Sequence, residues 1–350
     1  MNTDSTVEAA LTVAPLAEAD CAAWDEYVRR TPAATFFHLS GWRKVIEGQC
    51  GQRGHYLLAK RGGRIVGVLP LAHQKSLLFG NALISTPFCV YGGPVADDAQ
   101  ALHALVDAAC ALARDLSVDY LELRNREPVG LDWPTKELYV TFRRAISGDP
   151  EKDMLAIPRK QRAMVRKGIE AGLRGEIDAD VGRFYDAYSE SVRNLGTPVM
   201  GRGYYAALKR AFGEDCEVLA VTRGDELVAG VLSFYFRDEV LPYYGGGKAA
   251  ARDCKGNDFM YWDIMRRATD RGVRVFDYGR SKRDTGSYSF KVHWGFEPAP
   301  LHYQYYLVRA QQVPDLSPKN PRYSLFIDAW KRLPLWVSRF VGPFIARKLG

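Results

Sequence analysis

Gly272-Val-Arg-Val-Phe-Asp-Tyr-Gly-Arg-Ser-Lys282 is the stretch that decides the fold of this chain. Within it, residues 273–278 alternate β-branched, aromatic and polar side chains, a pattern that predicts a strand. The run before it, 259–271, predicts a helix that ends at Gly272. Residues 279–283 then predict a basic turn of the kind found at the mouth of an open α/β sheet.

A single lysine, Lys291, follows this stretch inside a frame of aromatic residues, Tyr288, Phe290, Trp294 and Phe296. A partly desolvated ammonium in such a frame would stabilise a developing negative charge better than a surface lysine does. The structural alternative is a lysine whose stem packs along a core aromatic cluster. An amine that attacks an ester or thioester needs deprotonation and stabilisation of the oxygen anion. This chemistry agrees with the absence of a G-x-S-x-G elbow and of an H-E-x-x-H metal motif from the sequence.

The composition is that of a globular protein. The 350 residues are 47% hydrophobic and 25% charged, and this length favours two domains. A net charge of +7 suits a phosphate-bearing partner or an anionic membrane surface. The six cysteines form no C-x-x-C pair, the N-terminus has no signal-peptide pattern, and no apolar run approaches the roughly 20 residues of a spanning helix. We therefore expect a cytoplasmic protein without a metal site.

The two halves of the chain repeat one order of patterns. Each half has two apolar runs around a glycine turn, which predict a hairpin, and then a tyrosine–glycine segment, a helix and a strand. The corresponding landmarks are Gly67 and Gly230, Tyr91 and Tyr244, and Arg124 and Arg280. Their sequence offsets agree to within ten residues, which indicates a duplication. We therefore predict an α/β protein with mixed sheets, built from two copies of one domain.

Changes in composition mark the predicted domain boundaries. We expect an N-terminal domain over residues 1–153, a C-terminal domain that carries the catalytic site over 154–310, and a tail over 311–350. A basic amphipathic segment, 157–174, lies near the start of the second domain, and the tail begins with a proline-punctuated linker. The tail then mixes aromatic and basic residues, which favours an amphipathic helix on anionic lipid over one packed on the domains.

Several motifs in a fixed order make the chain similar to a known family over about residues 20 to 310. They are Phe36-Phe-His-Leu-Ser-Gly-Trp42, Arg159-Lys-Gln-Arg-Ala-Met-Val-Arg-Lys-Gly168, Tyr243-Tyr-Gly-Gly246, Asn257-Asp-Phe-Met-Tyr-Trp262, Phe276-Asp-Tyr-Gly-Arg280 and Phe290-Lys291. The duplicated domain resembles the GNAT acyltransferase fold. The whole chain resembles the FemAB family, close to the branch associated with exosortase (PEP-CTERM) and exopolysaccharide systems. The resemblance implies transfer of an acyl or aminoacyl group to an amine of a cell-envelope precursor.

The resemblance also assigns residues to the reaction. A Phe-Lys pair that helps stabilise the tetrahedral intermediate matches Phe290 and Lys291, and tyrosines of the acceptor site match Tyr204 and Tyr244. The motifs add three more acceptor-site candidates, Trp42, Lys44 and Tyr243.

Two departures from the family pattern affect the acceptor. Met200 stands near the place of a phosphate-binding arginine found in the peptidoglycan-building members. Ile46 stands where those members have a lysine, and Lys44 is only nearby. We therefore expect an acceptor other than the usual peptidoglycan precursor.

Further candidates surround the predicted strand 273–278. Arg280, Lys282 and Arg283 either bind phosphate or form a solvated turn, and their place beside the predicted cleft favours phosphate binding by Arg280 and Lys282. Asp277 is either a catalytic group or a carboxylate bonded to neighbouring backbone, and the sequence leaves both roles open. Residues 250–258 take the place of the loop that binds CoA pyrophosphate in GNAT enzymes. This likeness makes cofactor-binding candidates of Arg252, Gly256 and Asn257.

The donor and the partners follow from these assignments. The donor stays open between acyl-CoA and aminoacyl-tRNA, and no metal is predicted. The expected partners are a lipid- or nucleotide-linked envelope precursor, tRNA as one alternative, and the inner face of the cytoplasmic membrane through residues 322–350. His38 and His293 are interpreted as structural histidines rather than proton shuttles. The alternative from another functional class is a non-catalytic protein that binds polyanionic glycan or RNA at the membrane surface.

Overall fold

The computed structural model describes residues 9–76, 80–313 and 321–349, so most of the predicted proline-rich linker lies outside the described residues. The first elements in chain order are β1 (Leu11–Pro15), α1 (Cys21–Arg30), α2 (Gly41–Val45), β2 (Arg53–Gly54), β3 (Leu57–Arg61), β4 (Arg64–Leu69), β5 (Leu71–Ser76), β6 (Gly80–Ser85), β7 (Val95–Ala96), α3 (Ala99–Asp115), β8 (Tyr120–Asn125) and β9 (Thr135–Lys136).

The remaining elements continue the alternation of helices and strands. They are β10 (Tyr139–Ala145), α4 (Pro150–Ala156), α5 (Arg159–Glu170), β11 (Leu173–Ile177), α6 (Gly182–Asn194), α7 (Arg202–Phe212), β12 (Cys216–Arg223), β13 (Glu226–Phe236), β14 (Glu239–Gly247), α8 (Gly256–Asp270), β15 (Val275–Lys282), α9 (Gly286–His293), β16 (Pro298–Pro300), β17 (His302–Leu307), α10 (Pro321–Arg332) and α11 (Leu335–Ala346).

The chain folds into two compact units. The first unit contains the chain up to Thr135 together with His302–Val313, and the second contains Lys136–Leu301 together with the C-terminal helices. The predicted boundaries at 153/154 and 310/311 therefore differ from those of the structure. The cause is strand pairing over long sequence distances: β10 pairs with β15, and β17 pairs with β8. Such pairing leaves no mark in local composition.

The first unit contains two sheets around α3. One has the strand order β1-β3-β4-β7, and the other has the order β2-β5-β6-β8-β17-β9. Strands β6 and β8 are parallel, with Leu83 opposite Leu121. Helix α3 begins at the N-cap Asp98, whose side chain accepts a hydrogen bond from the backbone N–H of Ala101. Its apolar face, which includes Leu105 and Ala109, packs into the core of this unit.

The second unit is built on one mixed sheet with the order β11-β12-β13-β14-β15-β10-β16. Its parallel pair is β14–β15, joined by α8, just as β6 and β8 are joined through α3 in the first unit. The predicted hairpins, the helices before each final strand and the duplication are therefore present. The predicted basic turn at 279–283 is different: β15 continues through Gly279 to Lys282, where it pairs with Tyr139.

Candidate active site

The site lies where β14 and β15 separate. These strands pair only at Glu239–Val275 and Val240–Phe276, although both continue beyond those positions. The Tyr261 side chain of α8 contacts β15 beyond the split, with its ring centroid 4.8 Å from that of Tyr278. An opening between two parallel strands at their carboxyl ends is where α/β sheets commonly bind ligands.

Gly279 gives β15 an irregular path at this opening. Its φ of 65° lies in the left-handed region, which glycine adopts at little cost. The register against β10 shifts at the same place, between Thr141 and Arg143. This shift is a β-bulge, and a bulge displaces main-chain carbonyls from the regular ladder of hydrogen bonds.

Lys291 of α9 binds the displaced main chain. The residue is 8% exposed, and its Nζ donates hydrogen bonds to the carbonyl oxygens of Gly279 and Arg280, each at 3.0 Å. Burial lowers the pKa of the Lys291 ammonium from its usual value of 10.5 to about 7, although the charge of Asp277 acts in the opposite direction. An amine that titrates near neutrality can supply either a charge or a proton to a reaction at physiological pH.

The aromatic frame around Lys291 is only partly the predicted one. Phe290 packs against Tyr261, with ring centroids 5.6 Å apart, and against Trp294 at 6.0 Å. The Nζ of Lys291 instead lies 5.4 Å from the ring centroid of Phe142, a residue of β10. The sequence analysis missed Phe142 because it stands 149 residues before the lysine and joins the site only through the pairing of β10 with β15.

Asp277 is enclosed within the sheet. Its Oδ1 accepts a hydrogen bond from the Gly279 N–H at 2.7 Å, and its Oδ2 lies 3.2 Å from Nε of Arg143. The guanidinium of Arg143 also pairs with Glu239. Both carboxylate oxygens of Asp277 are thus engaged with β10 and with the bulge. The geometry favours the backbone-bonding alternative over the catalytic one.

The pKa of Lys291 predicts a stability that depends on pH. Because the lysine titrates near 10.5 when unfolded and near 7 when folded, the unfolded state binds more protons between these values, and stability rises with pH. We expect the free energy of unfolding of the wild type, minus that of Lys291→Met, to increase by about 2 kcal/mol from pH 7 to pH 9. Urea unfolding at the two pH values measures this change, and a difference that stays constant would contradict it.

The predicted acceptor tyrosines meet in one cluster. The hydroxyl oxygens of Tyr204 on α7 and Tyr244 on β14 are 3.0 Å apart. Tyr205 lies edge-on to Tyr244, with centroids 5.2 Å apart, and Tyr243 contacts the same ring at 4.7 Å. Burial raises the pKa of Tyr188, another member of the cluster. The structure thus joins Tyr204, Tyr243 and Tyr244, as the sequence predicted, and adds Tyr188 and Tyr205.

The two predicted phosphate ligands lie close to the same aromatic ring. The guanidinium carbon of Arg280 is 4.7 Å from the ring centroid of Tyr139, and Nζ of Lys282 is 5.5 Å from the same centroid. Both residues are partly exposed at the end of β15. Tyr139 belongs to β10, so its part in this arrangement was invisible in the local sequence.

The predicted donor-binding residues lie at the start of α8. Gly256 is buried as the first residue of the helix, and Arg252 is exposed at the end of the short helical turn Ala249–Arg252. Among the residues that the structure describes, none forms a hydrogen bond with the buried Oδ1 of Asn257. The backbone N–H groups of a helix N-terminus favour anions, and an unpartnered amide oxygen beside them accepts a donor from a ligand.

A buried carboxylate that the sequence analysis did not single out holds the helices of the site together. Oδ1 of Asp258, on α8, accepts hydrogen bonds from the side-chain amide of Gln161 on α5 and from Nε1 of Trp294, the residue after α9. Burial raises the pKa of this carboxyl group. Asp258 thereby fixes α9, which carries Lys291, to the helix at the opening.

Two predicted acceptor residues belong to the first unit, and neither has the surroundings of a substrate ligand. Trp42 is 0% exposed and packs in a core cluster with Phe36 and Phe37, which are the surroundings of a structural residue. Lys44 is exposed and forms an ion pair with Glu18 at 2.7 Å. His38 is buried with both ring nitrogens bonded, to Thr35 and to the Gly93 carbonyl, as expected of a structural histidine.

A family model of known proteins matches the part of the chain that forms this site. Residues 159–292 match the acetyltransferase (GNAT) domain, a segment that runs from α5 through Lys291. This match identifies residues 159–292 as a GNAT acetyltransferase domain, which makes the protein an enzyme of the N-acyltransferase class. The separated parallel strands and the helix N-terminus at their opening agree with it. No curated protein matches the chain in sequence.

Solved structures share the fold over most of the chain. FemX matches with a TM-score of 0.67 at 15% identity, over 85% of this chain and 98% of FemX. The C-terminal domain of a putative lysylphosphatidylglycerol synthetase from Agrobacterium fabrum matches with a TM-score of 0.57 at 13% identity, over 81% and 91%. A tandem GNAT protein from the clavulanic acid biosynthesis pathway matches with a TM-score of 0.52 at 14% identity, over 87% of this chain and 100% of that protein. The predicted pair of GNAT-like domains and the likeness to FemAB proteins are thus confirmed for the fold.

Proposed function

We propose that this protein transfers an acyl or aminoacyl group to an amine of a cell-envelope or exopolysaccharide precursor. The donor is a CoA thioester or an aminoacyl-tRNA. The observation that carries the proposal is Lys291, a buried amine with a pKa near 7 beside the opening between β14 and β15. One structural neighbour, the putative lysylphosphatidylglycerol synthetase, has a name that joins an aminoacyl group to a phospholipid, which supports an aminoacyl donor and a lipid-bearing acceptor.

In the proposed reaction, the acceptor nitrogen attacks the carbonyl carbon of the donor. A C–N bond forms and the carbonyl oxygen becomes an anion. Collapse of this intermediate breaks the C–S or C–O bond to the donor, and the proton lost by the nitrogen passes to the departing thiolate or alkoxide. Two N–H groups of Lys291 are held by the carbonyls of Gly279 and Arg280, and the third N–H of its ammonium form stabilises the oxygen anion. Phe290 shapes the slot beside it.

The remaining residues bind the two substrates. Tyr204 and Tyr244 orient the acceptor through their paired hydroxyls, and Tyr243 lines the same cluster. Arg280 and Lys282 hold a phosphate of the acceptor, because a guanidinium and an ammonium that are both partly exposed beside the Tyr139 ring suit a dianion. Arg252, Gly256 and Asn257 hold the phosphates of the donor at the N-terminus of α8.

We place this reaction at the inner face of the cytoplasmic membrane, with the protein attached peripherally. The net charge of +7 and the basic, aromatic C-terminal segment support this location. In the parts of the chain that the structure describes, no helix combines the length and the apolarity needed to cross a bilayer.

Thermal unfolding with each donor tests the proposal and identifies the donor. A ligand at a concentration 100 times its Kd stabilises a protein by about 2.7 kcal/mol, and we expect an increase of several degrees in Tm with the true donor. Acetyl-CoA and aminoacyl-tRNA are the two probes, with uncharged tRNA as the control. An Arg252→Ala variant should lose most of a CoA-dependent shift, because it lacks the guanidinium that would hold the donor phosphates. Its Tm without ligand should stay unchanged, because this side chain is exposed. If neither donor changes Tm, the non-catalytic alternative is favoured.

A further inference from the structure

The last helix, α11, has its apolar character on the side away from the protein. Its buried positions are the small residues Ser338, Gly342 and Ala346, spaced four residues apart. A side chain at position 342 would place its Cβ 2.9 Å from the carbonyl oxygen of Val199, so only glycine permits this close approach. Small residues therefore form the packing face of the helix.

The opposite side of α11 carries three large aromatic side chains. Trp336, Phe340 and Phe344 are 72%, 70% and 55% exposed and follow the same four-residue spacing. We call these three residues the aromatic face. Leu325 and Phe326 of α10 are exposed as well. A helix that packs through small residues and leaves its largest apolar side chains in water is suited to a partner with an apolar interior.

The charges near the aromatic face identify the partner. Residues 321–349 contain six basic residues and one acidic residue, Asp328. Lys331 and Arg332 are the last two residues of α10, and Arg347 and Lys348 come directly after the end of α11. The positive charges at the helix ends complement anionic lipid headgroups. The exposed tryptophan and phenylalanine side chains suit the acyl region beneath those headgroups. The same charges oppose pairing with a second copy of this chain.

The two helices pack on the segment that leads to the predicted acceptor tyrosines. Ile327 of α10 packs against Gly196, and Pro343 of α11 lies within 3.7 Å of where a side chain at Gly201 would begin. Gly201 is the N-cap of α7, and Tyr204 is the third residue of that helix. Helix α11 is also joined to α6, because Nε of Arg339 donates to the Ser189 hydroxyl at 2.9 Å.

We propose that the aromatic face of α11 inserts into the headgroup region of an anionic phospholipid bilayer and thereby holds residues 196–201, and the tyrosines that follow them, at the lipid surface. The inference that α11 docks on a bilayer depends only on the exposed aromatic side chains and the nearby basic residues. The consequence for the acceptor rests on the proposed function: a lipid-linked amine would reach Tyr204 and Tyr244 from the membrane to which the same unit is bound.

Vesicle binding by the full chain tests the docking. Vesicles of phosphatidylcholine with phosphatidylglycerol should bind the wild type at least tenfold more strongly than phosphatidylcholine alone. A variant with Trp336→Ser, Phe340→Ser and Phe344→Ser should lose at least tenfold in binding to the anionic vesicles. The matched control replaces three exposed apolar residues elsewhere in the same unit, Leu155, Ile169 and Ile177, by serine, and it should bind as the wild type does.

The outcomes separate docking from its alternatives. Equal binding by the aromatic-face variant and the control, or no binding by the wild type, would overturn the proposal. Sedimentation that shows a dimer lost only in the aromatic-face variant would assign the face to a second copy instead. Amide hydrogen exchange is the last measurement. Anionic vesicles should slow exchange across residues 196–205 in the wild type but not in the aromatic-face variant. Vesicle binding without slower exchange in this segment would reject the link to the tyrosines. Vesicle binding without transfer activity would reject the proposed function and leave docking intact.

Discussion

Replacing Lys291 by methionine is expected to lower the transfer rate by about 10²- to 10³-fold, the usual loss when one donor to a developing oxygen anion is removed. Methionine keeps the length and most of the volume of the side chain but supplies no N–H group. The measurement is a single-turnover rate with the donor that raises Tm, with the product quantified by mass spectrometry. Lys75→Met, a substitution at an exposed lysine of the first unit, is the matched control and should keep the wild-type rate.

The pH profile separates the role of Lys291 as a charge from a role as a base. If the ammonium stabilises the anion, the wild-type rate should fall as pH rises through about 7, because deprotonation removes the charge. The methionine variant should lack this limb. A wild-type rate that increases through the same pH would assign the neutral amine as the base that deprotonates the acceptor. A methionine variant with the wild-type rate would leave Lys291 with a structural role only.

Replacing Asp277 by alanine is expected to lower the free energy of unfolding by about 3 kcal/mol, at the low end of the cost of breaking a buried ion pair. The change removes the acceptor of the Gly279 N–H and leaves Arg143 with Glu239 as its remaining carboxylate in this network. Arg143 is partly exposed, so water offsets some of the loss. Urea unfolding at pH 7 measures the effect.

A surface ion pair provides the comparison for Asp277. Glu176 pairs with Arg183 where both side chains are well exposed, and Glu176→Ala should lower the free energy of unfolding much less than Asp277→Ala does, because solvent screens an exposed ion pair. Equal costs for the two substitutions would show that the Asp277 network is not tightly coupled to the fold. An Asp277→Ala protein with unchanged stability and a lost transfer rate would instead restore the catalytic alternative for this carboxylate.

Local patterns predicted the elements of the second unit well. The alternation in 273–278 and the glycine after the preceding helix located β15 and the end of α8, because both signals depend on residues close in sequence. The repeat of these signals in the first half predicted the duplication. The family resemblance assigned Tyr204 and Tyr244 to one acceptor site, and their hydroxyl groups are in contact in the structure although they belong to α7 and β14.

The sequence could not show what depends on distant strands. Phe142 and Tyr139 reach the site only because β10 pairs with β15, and β17 completes a sheet of the first unit for the same kind of reason. The motif at Trp42 suggested a binding residue, but in the structure its indole ring packs in the hydrophobic core. The tail was interpreted as either packed on the protein or bound to lipid, whereas α11 has one face for packing and leaves the other exposed.

The bulge at Gly279 makes the position of the Lys291 amine insensitive to most substitutions around it. Both of its acceptors belong to the peptide backbone, and every amino acid retains a carbonyl group. A random mutagenesis screen for inactive variants should therefore recover changes at 291 itself and changes that reroute the chain at 279. Exchanges of the Arg280 side chain should leave the amine anchored, which allows the phosphate-binding edge to diversify toward new acceptors while the chemistry is retained.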